Sequence, residues 1–101
     1  MHGEIDAVEL LGRLAKGEKL TLLDVRGEIE YHTYNIGGKN VPLQDIRDKA
    51  GEIGANKNDE IIVVCSAGLR SSTAADLLTE KGYTNVKNLT GGLLALRKVK
   101  H

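Results

Sequence analysis

A chain of 101 residues has room for one domain that buries roughly two thirds of the surface its unfolded form exposes, and its 41% apolar and 28% charged residues are ordinary globular usage, with an aliphatic core expected because Phe and Trp are absent. Fourteen Lys and Arg balance 14 Asp and Glu, which excludes the basic footprint of a nucleic-acid binder, and no apolar run approaches the length of a membrane span. One cysteine excludes an intrachain disulfide and a multi-thiolate zinc site; with no signal-peptide pattern in Met1-His2-Gly3-Glu4, the expectation is a soluble cytoplasmic protein with no nucleic-acid or membrane partner.

Asp6, followed three residues later by Glu9, reads as a helix start, and Val8, Leu10, Leu11 and Leu14 supply a helical stripe that Gly17 ends, which predicts a helix over Ala7–Lys16. Leu20–Val25 is short, apolar and β-rich, a buried strand closed by Arg26-Gly27, and Glu28–His32 follows as a brief helical turn. Gly37-Gly38 breaks the chain before a short strand at Asn40-Val41, and Pro42 opens a helix over Leu43–Gly51 with Ile46 and Ala50 facing inward. Glu60–Val64 is an unbroken Ile/Val run of the kind found in a parallel strand covered on both faces. A helix is predicted over Ser71–Lys81, stopped by Gly82, then a strand over Asn85–Leu89 and, after Gly91-Gly92, a last helix carrying Leu93, Leu94, Leu96 and Val99, with Arg97–His101 as its fraying end. The alternation predicts an α/β fold: a three-layer α/β/α arrangement, residues 1–101 forming a single domain around a mainly parallel sheet of about five short strands. Ligand sites in such sheets lie at the carboxyl ends of strands.

Cys65 stands at one of those ends. A lone cysteine after an apolar strand is more often core filling than a nucleophile. The segment Cys65-Ser66-Ala67-Gly68-Leu69-Arg70-Ser71 reverses that balance, because a strand that passes through a short Gly-containing turn into a helix points several backbone N–H groups at one spot, where the helix dipole also favours negative charge. A thiol there ionises readily, and a pKa below the free-thiol value of about 8.5 is expected.

The chain also carries Leu23-Asp24-Val25-Arg26, then Glu30-Tyr31, Asn40-Val41-Pro42-Leu43, Val63-Val64-Cys65 with Gly68 and Arg70, Lys81-Gly82-Tyr83, and Leu89 with Gly91-Gly92. In that order and approximate spacing the set resembles the rhodanese family of single-domain sulfurtransferases, and the resemblance covers nearly the whole chain. It implies that Cys65 takes a sulfane sulfur from thiosulfate or a persulfide, holds it as Cys–S–S⁻, and passes it to a thiol, cyanide or protein acceptor in a ping-pong transfer that calls for no cofactor. The partners it implies are a small-molecule or protein sulfur donor and a thiophilic acceptor; the oligomeric state leaves no mark in the sequence.

Within that frame Gly68 turns the backbone inward, Arg70 offers a permanent positive charge to the donor or the persulfide, and Ser71 or Ser72 caps the following helix and aims a hydroxyl at the anion. Asp24 and Arg26 are supporting residues: Asp24 holds neighbouring backbone or Arg26, and Arg26 pairs with Glu30. Tyr31 and Tyr34 read as half-buried packing residues, and His2, His32 and His101 lack metal-ligand spacing. Two departures from the family pattern are Tyr34-Asn35-Ile36-Gly37-Gly38 in place of Gly-His-Ile-Pro-Gly, and Leu96 where relatives often end Gly-Gly-x-x-x-Trp.

Other functions compete. Dual-specificity phosphatases place five residues between Cys and Arg, whereas four stand here, Ser66 to Leu69, and a shorter loop makes a tighter cradle that suits one sulfur better than a tetrahedral phosphate. Arsenate or disulfide reduction would need a resolving thiol from outside the chain. A rhodanese-fold module that binds a protein or carries sulfur without turnover is the alternative from a different class, since fold alone does not fix function.

Overall fold

The computed structural model describes residues 2–100. Five strands, β1 (Gly3–Ile5), β2 (Leu22–Asp24), β3 (Lys39–Asn40), β4 (Ile61–Val64) and β5 (Val86–Leu89), form one sheet in the order β1-β5-β4-β2-β3. Every pairing is parallel. The helices are α1 (Ala7–Ala15), α2 (Glu28–Thr33), α3 (Ile46–Lys49), α4 (Leu69–Glu80) and α5 (Gly92–Lys100). The expected α/β layering is present, with the sheet parallel throughout.

Successive residues of a strand face opposite sides of a sheet, and the apolar run of β4 divides accordingly. Ile61 and Val63 join Leu23, Ile46, Ala74, Ala75 and Leu78 in a cluster under α3 and α4. Ile62 and Val64 join Leu22, Leu10, Leu93 and Leu96 in the cluster under α1 and α5. Leu96, at which the sequence departs from the Gly-Gly-x-x-x-Trp pattern of the resemblance, is 1% exposed. Below the strands, at their amino ends, Glu60 takes Arg13 Nη2 at 2.6 Å and Lys87 Nζ at 2.7 Å, which ties α1 and β5 to the start of β4.

The Asp6 carboxylate accepts from Glu9 N at 2.8 Å, as the helix-start reading anticipates. Several expectations need correction. β1 went unread because only Ile5 of its three residues is buried; it is held by pairing with β5, an interaction with no periodic signature. The predicted helix over Leu43–Gly51 is three pieces, a 3-10 turn at Leu43–Asp45, the single turn of α3, and a second 3-10 turn at Ala50–Ile53, although Ile46 and Ala50 do face inward. β3 lies one residue earlier than read, and β2 pairs over Leu22–Asp24 alone. α4 begins at Leu69, two residues ahead of the prediction, because Gly68 at φ 95° supplies the N-cap in place of Ser71 or Ser72. His101 lies outside the described residues.

β2 and β4 are neighbours whose chains leave in opposite directions, β2 outward to β3 and β4 inward to β5. Their carboxyl ends therefore flank the switch point of the sheet, where crevices open in folds of this kind. Asp24, paired with Val64, and Cys65, the residue after Val64, stand there on neighbouring strands.

Candidate active site

Cys65 leaves the end of β4 and is 1% exposed. Its Sγ accepts from Gly68 N at 3.1 Å and Ser71 N at 3.3 Å, and lies 3.2 Å from Ser71 Oγ. Burial pushes the thiol pKa up, but the Ser71 hydroxyl and the Ser71, Gly68 and Ala67 amides outweigh it, and the net shift is downward from the ordinary value. The positive end of α4 lies behind those amides and favours the same charge. The arrangement can hold a thiolate, or another small anion centred on sulfur, without a metal or a lysine.

The turn that makes this cradle is fixed from two sides. Gly68 adopts φ 95°, and a Cβ there would stand 3.1 Å from Gly91 N and 3.4 Å from Leu89 O. On the other side, the first amides of α5 hold the loop carbonyls: Leu93 N donates to Cys65 O at 2.9 Å and Leu94 N to Ser66 O at 3.0 Å. With its carbonyls drawn outward to α5, the loop is left with its amides facing the sulfur. Gly92 permits the approach, since a Cβ on it would come within 2.4 Å of Cys65 O.

Of the residues singled out from sequence, Ser66, Ala67, Gly68 and Ser71 lie in the loop around Cys65, and the last three direct their amides at its sulfur. Leu69 contributes backbone only; its side chain is 79% exposed. Arg70 does not reach for the sulfur. Its guanidinium forms a two-pronged pair with Glu30 of α2, at 2.7 and 2.9 Å, and touches Ser66 Oγ at 3.4 Å. Arg70 together with the Gly27 amide holds the Glu30 carboxyl down at about 2.

Asp24 and Arg26 are buried, at 1% and 5% exposure, and bond to each other. Asp24 Oδ2 takes Arg26 Nη2 at 2.7 Å and Oδ1 takes Arg26 Nε and N, each at 3.0 Å. The expected Arg26–Glu30 pairing is corrected: Arg26 Nη1 donates to the Glu30 backbone carbonyl at 3.3 Å and Nη2 to Tyr34 O at 2.6 Å, while the Glu30 side chain belongs to Arg70. Arg26 is thus a peg that fastens α2 to the end of β2. Tyr31 and Tyr34 are half-buried as expected, with Tyr31 Oη donating to Gly38 O at 2.7 Å.

Between α2 and α5 a groove of about 340 Å³ opens beside Ser66. Ile29, Tyr34, Leu93 and Leu94 give it apolar walls, and Arg97 lies with its guanidinium 5.1 Å from the Tyr34 ring centre. Sequence reading assigned no role to Glu30 beyond Arg26, or to Asn88. Asn88 is 5% exposed, and an amide inside an otherwise covered strand was the signal available. Among the described residues no cluster of His, Cys, Asp and Glu could hold a metal ion, and no helix is long and apolar enough to cross a membrane.

Comparison with known proteins bears on this site. The thiosulfate sulfurtransferase PspE of Escherichia coli (strain K12) is 38% identical over 81 residues, 77% of each chain. The putative sulfur carrier protein YrkF of Bacillus subtilis (strain 168) is 34% identical over 91 residues, which are 89% of this chain and 48% of that one, so this chain spans about half of it. The solution structure of the rhodanese-like domain of the Anabaena sp. protein Alr3790 superposes with a TM-score of 0.86 at 33% identity, covering 98% of this chain and 76% of that one. With residues 6–98 matching the family description "Rhodanese-like domain", the chain belongs to the rhodanese-like domain family.

Proposed function

We propose that the protein is a sulfurtransferase that carries sulfane sulfur on Cys65, from thiosulfate or a persulfide donor to a thiol, cyanide or protein acceptor. The observation that carries this reading is the buried Sγ ringed by the Gly68 and Ser71 amides and the Ser71 hydroxyl, a cradle sized for one sulfur. In the first half-reaction the Cys65 thiolate attacks the outer sulfur of thiosulfate, the S–S bond of the donor breaks, and sulfite leaves with the electron pair. Cys65–S–S⁻ remains. In the second, an acceptor thiolate attacks the outer sulfur, and Cys65 departs as the thiolate that began the cycle. No electrons are gained or lost overall, so no cofactor is needed.

Loop amides stabilise the anion at each stage. Arg70 would offer its charge to an incoming anion by exchanging its Glu30 partner for that anion, and the apolar groove beside Ser66 is where the body of an organic donor or acceptor would lie. With no second thiol in the chain, the sulfur must leave to another molecule, and a lone reduced cysteine suits a compartment such as the cytoplasm.

The test is the mass of the intact protein after incubation with thiosulfate or a persulfide donor, then with excess acceptor thiol. A gain of one sulfur that is absent in Cys65→Ser and discharged by the acceptor supports the reading. The alternative, a carrier or protein-binding module without turnover, draws on the name of the Bacillus relative. Loading without catalytic turnover would favour it, and no loading with any donor would leave binding alone. Hydrolysis of an aryl phosphate by the wild type but not by Cys65→Ser would favour a phosphatase instead.

A further inference from the structure

Asn88 sits in β5 with its amide turned into the cysteine loop. Its Oδ1 accepts the Ser71 hydroxyl, while Nδ2 donates to Gly68 O at 3.3 Å and to Glu4 Oε1 at 3.3 Å. The orientation is forced: a carbonyl and a carboxylate only accept, so the amide nitrogen must face them and the oxygen must face Ser71. Glu4 is itself held, by Thr90 Oγ1 at 2.9 Å and by His2 Nε2 at 2.9 Å. The amide is therefore fixed from its outer side.

Ser71 Oγ lies between two claimants, Cys65 Sγ and Asn88 Oδ1, and has one proton to give. While Cys65 is a thiol, its S–H donates to Ser71 and Ser71 donates to Asn88, so every group is satisfied. Once Sγ is a thiolate it needs donors; if Ser71 turns to it, Asn88 Oδ1 is left buried without its partner. When Cys65 carries a second sulfur, the negative charge moves to the outer atom, Sγ no longer requires the hydroxyl, and Ser71 returns to Asn88.

We propose that Asn88 is a positioning residue for the nucleophile: as the rival acceptor for the Ser71 proton, it holds back the bare thiolate and favours the sulfur-loaded form. The second half of this statement rests on the persulfide reading above; the first does not. The charged and titratable groups around Cys65 and Asn88 are Arg70 on α4, whose charge acts on Cys65 and whose guanidinium pairs with Glu30 of α2, Glu4 on β1 behind Asn88, and His2, which bonds to Glu4, Asp76 and Ser72 Oγ. Of these only Glu4 bonds to Asn88, and its bonds to Thr90 and His2 keep it in place when the amide is changed.

The experiment follows the rate of Cys65 alkylation against pH, together with the loaded fraction in a thiol–persulfide buffer of fixed ratio above the alkylation midpoint. Asn88→Leu releases the Ser71 proton to the sulfur and lowers the midpoint by about one pH unit, with a roughly tenfold fall in the loading equilibrium constant. Asn88→Asp, a stronger acceptor, raises the midpoint. In a Ser71→Ala background Asn88→Leu leaves it unchanged. A midpoint that rises in Asn88→Leu, a shift of the same sign in both variants, or a fall that persists without the Ser71 hydroxyl would overturn the proposal. Thermal melting checks that each variant is folded, and Asn88→Ala with the same readouts replaces Asn88→Leu should that protein not melt cooperatively. If the wild type never gains sulfur, the persulfide reading fails, while the alkylation midpoints still decide the role of Asn88.

Discussion

Gly92→Ala strikes the contact on which the cysteine loop rests. Gly92 has φ 61°, and placing an L side chain in that region costs about 1–2 kcal/mol by itself. The new Cβ would then stand 2.4 Å from Cys65 O and 2.5 Å from Ser66 C and O, so loop and helix must part by roughly 1 Å to reach ordinary contact. Parting them breaks or weakens the bonds from Leu93 N to Cys65 O and Leu94 N to Ser66 O. At about 0.5–1.5 kcal/mol each, they bring the expected loss to about 2–5 kcal/mol. A domain with about 5–15 kcal/mol of stability remains folded after that loss at all but the lower end.

Gly17→Ala is the matched control. Gly17 has φ 78° with nothing within 4 Å of a built Cβ, so it carries the backbone cost alone, about 1–2 kcal/mol. Denaturant unfolding measures both losses, and alkylation against pH reads the thiol. Gly92→Ala should lose more stability than Gly17→Ala and raise the Cys65 midpoint toward the free-thiol value of about 8.5, whereas Gly17→Ala leaves the thiol alone. If the two variants match within about 0.5 kcal/mol and share the wild-type midpoint, the loop does not rest on α5 in the way described.

The buried Asp24–Arg26 pair yields a second expectation: Asp24→Ala leaves the guanidinium without its partner and costs about 3–5 kcal/mol in denaturant unfolding. An effect under about 1 kcal/mol would show that Arg26 is satisfied by the Glu30 and Tyr34 carbonyls alone. A third concerns acid. Glu30 and Glu60 are lowered from 4.5 to about 2 by their arginine partners, so the stability they contribute is complete above 4.5 and drains away as the pH falls toward 2. Thermal midpoints across the acid range should show that limb flattened in a Glu30→Gln, Glu60→Gln protein; a limb of unchanged depth would mean that other carboxylates set the acid response.

The central strand and the cysteine loop were legible in the sequence because their signals are local. Ile61 to Val64 is covered on both faces and therefore unbroken in its apolar character, and the amides that face Cys65 Sγ belong to a short Gly-containing turn next to it in the chain, although α5 and Asn88 hold that turn in place. The α4 boundary was misread because Ser71 and Ser72 look like caps, whereas Gly68, recognised as the turn, is also the N-cap and has no side chain with which to cap. β1 was missed since its order comes from β5, more than eighty residues away in the chain. The same separation hid what Asn88 and Glu30 do: each bonds to the loop from another element, so the amide inside a covered strand marks Asn88 as partnered without naming Ser71 or Gly68, and nothing near Glu30 names Arg70. Arg70 was found by its place in the motif, but its pairing across to α2 was not, because Glu30 is forty residues upstream.

The hold of α5 on the cysteine loop also sets an order of events. Cys65 is made well before Asn88 and the first turn of α5, the groups that draw the loop carbonyls away and fix Gly68 and Ser71 around the sulfur. On a ribosome, a chain that has emerged only as far as α4 therefore presents an unassembled cradle and a thiol of ordinary reactivity. The lowered pKa of Cys65 is in that sense a property of the finished fold, acquired only when the last helix docks, and not of the loop sequence by itself.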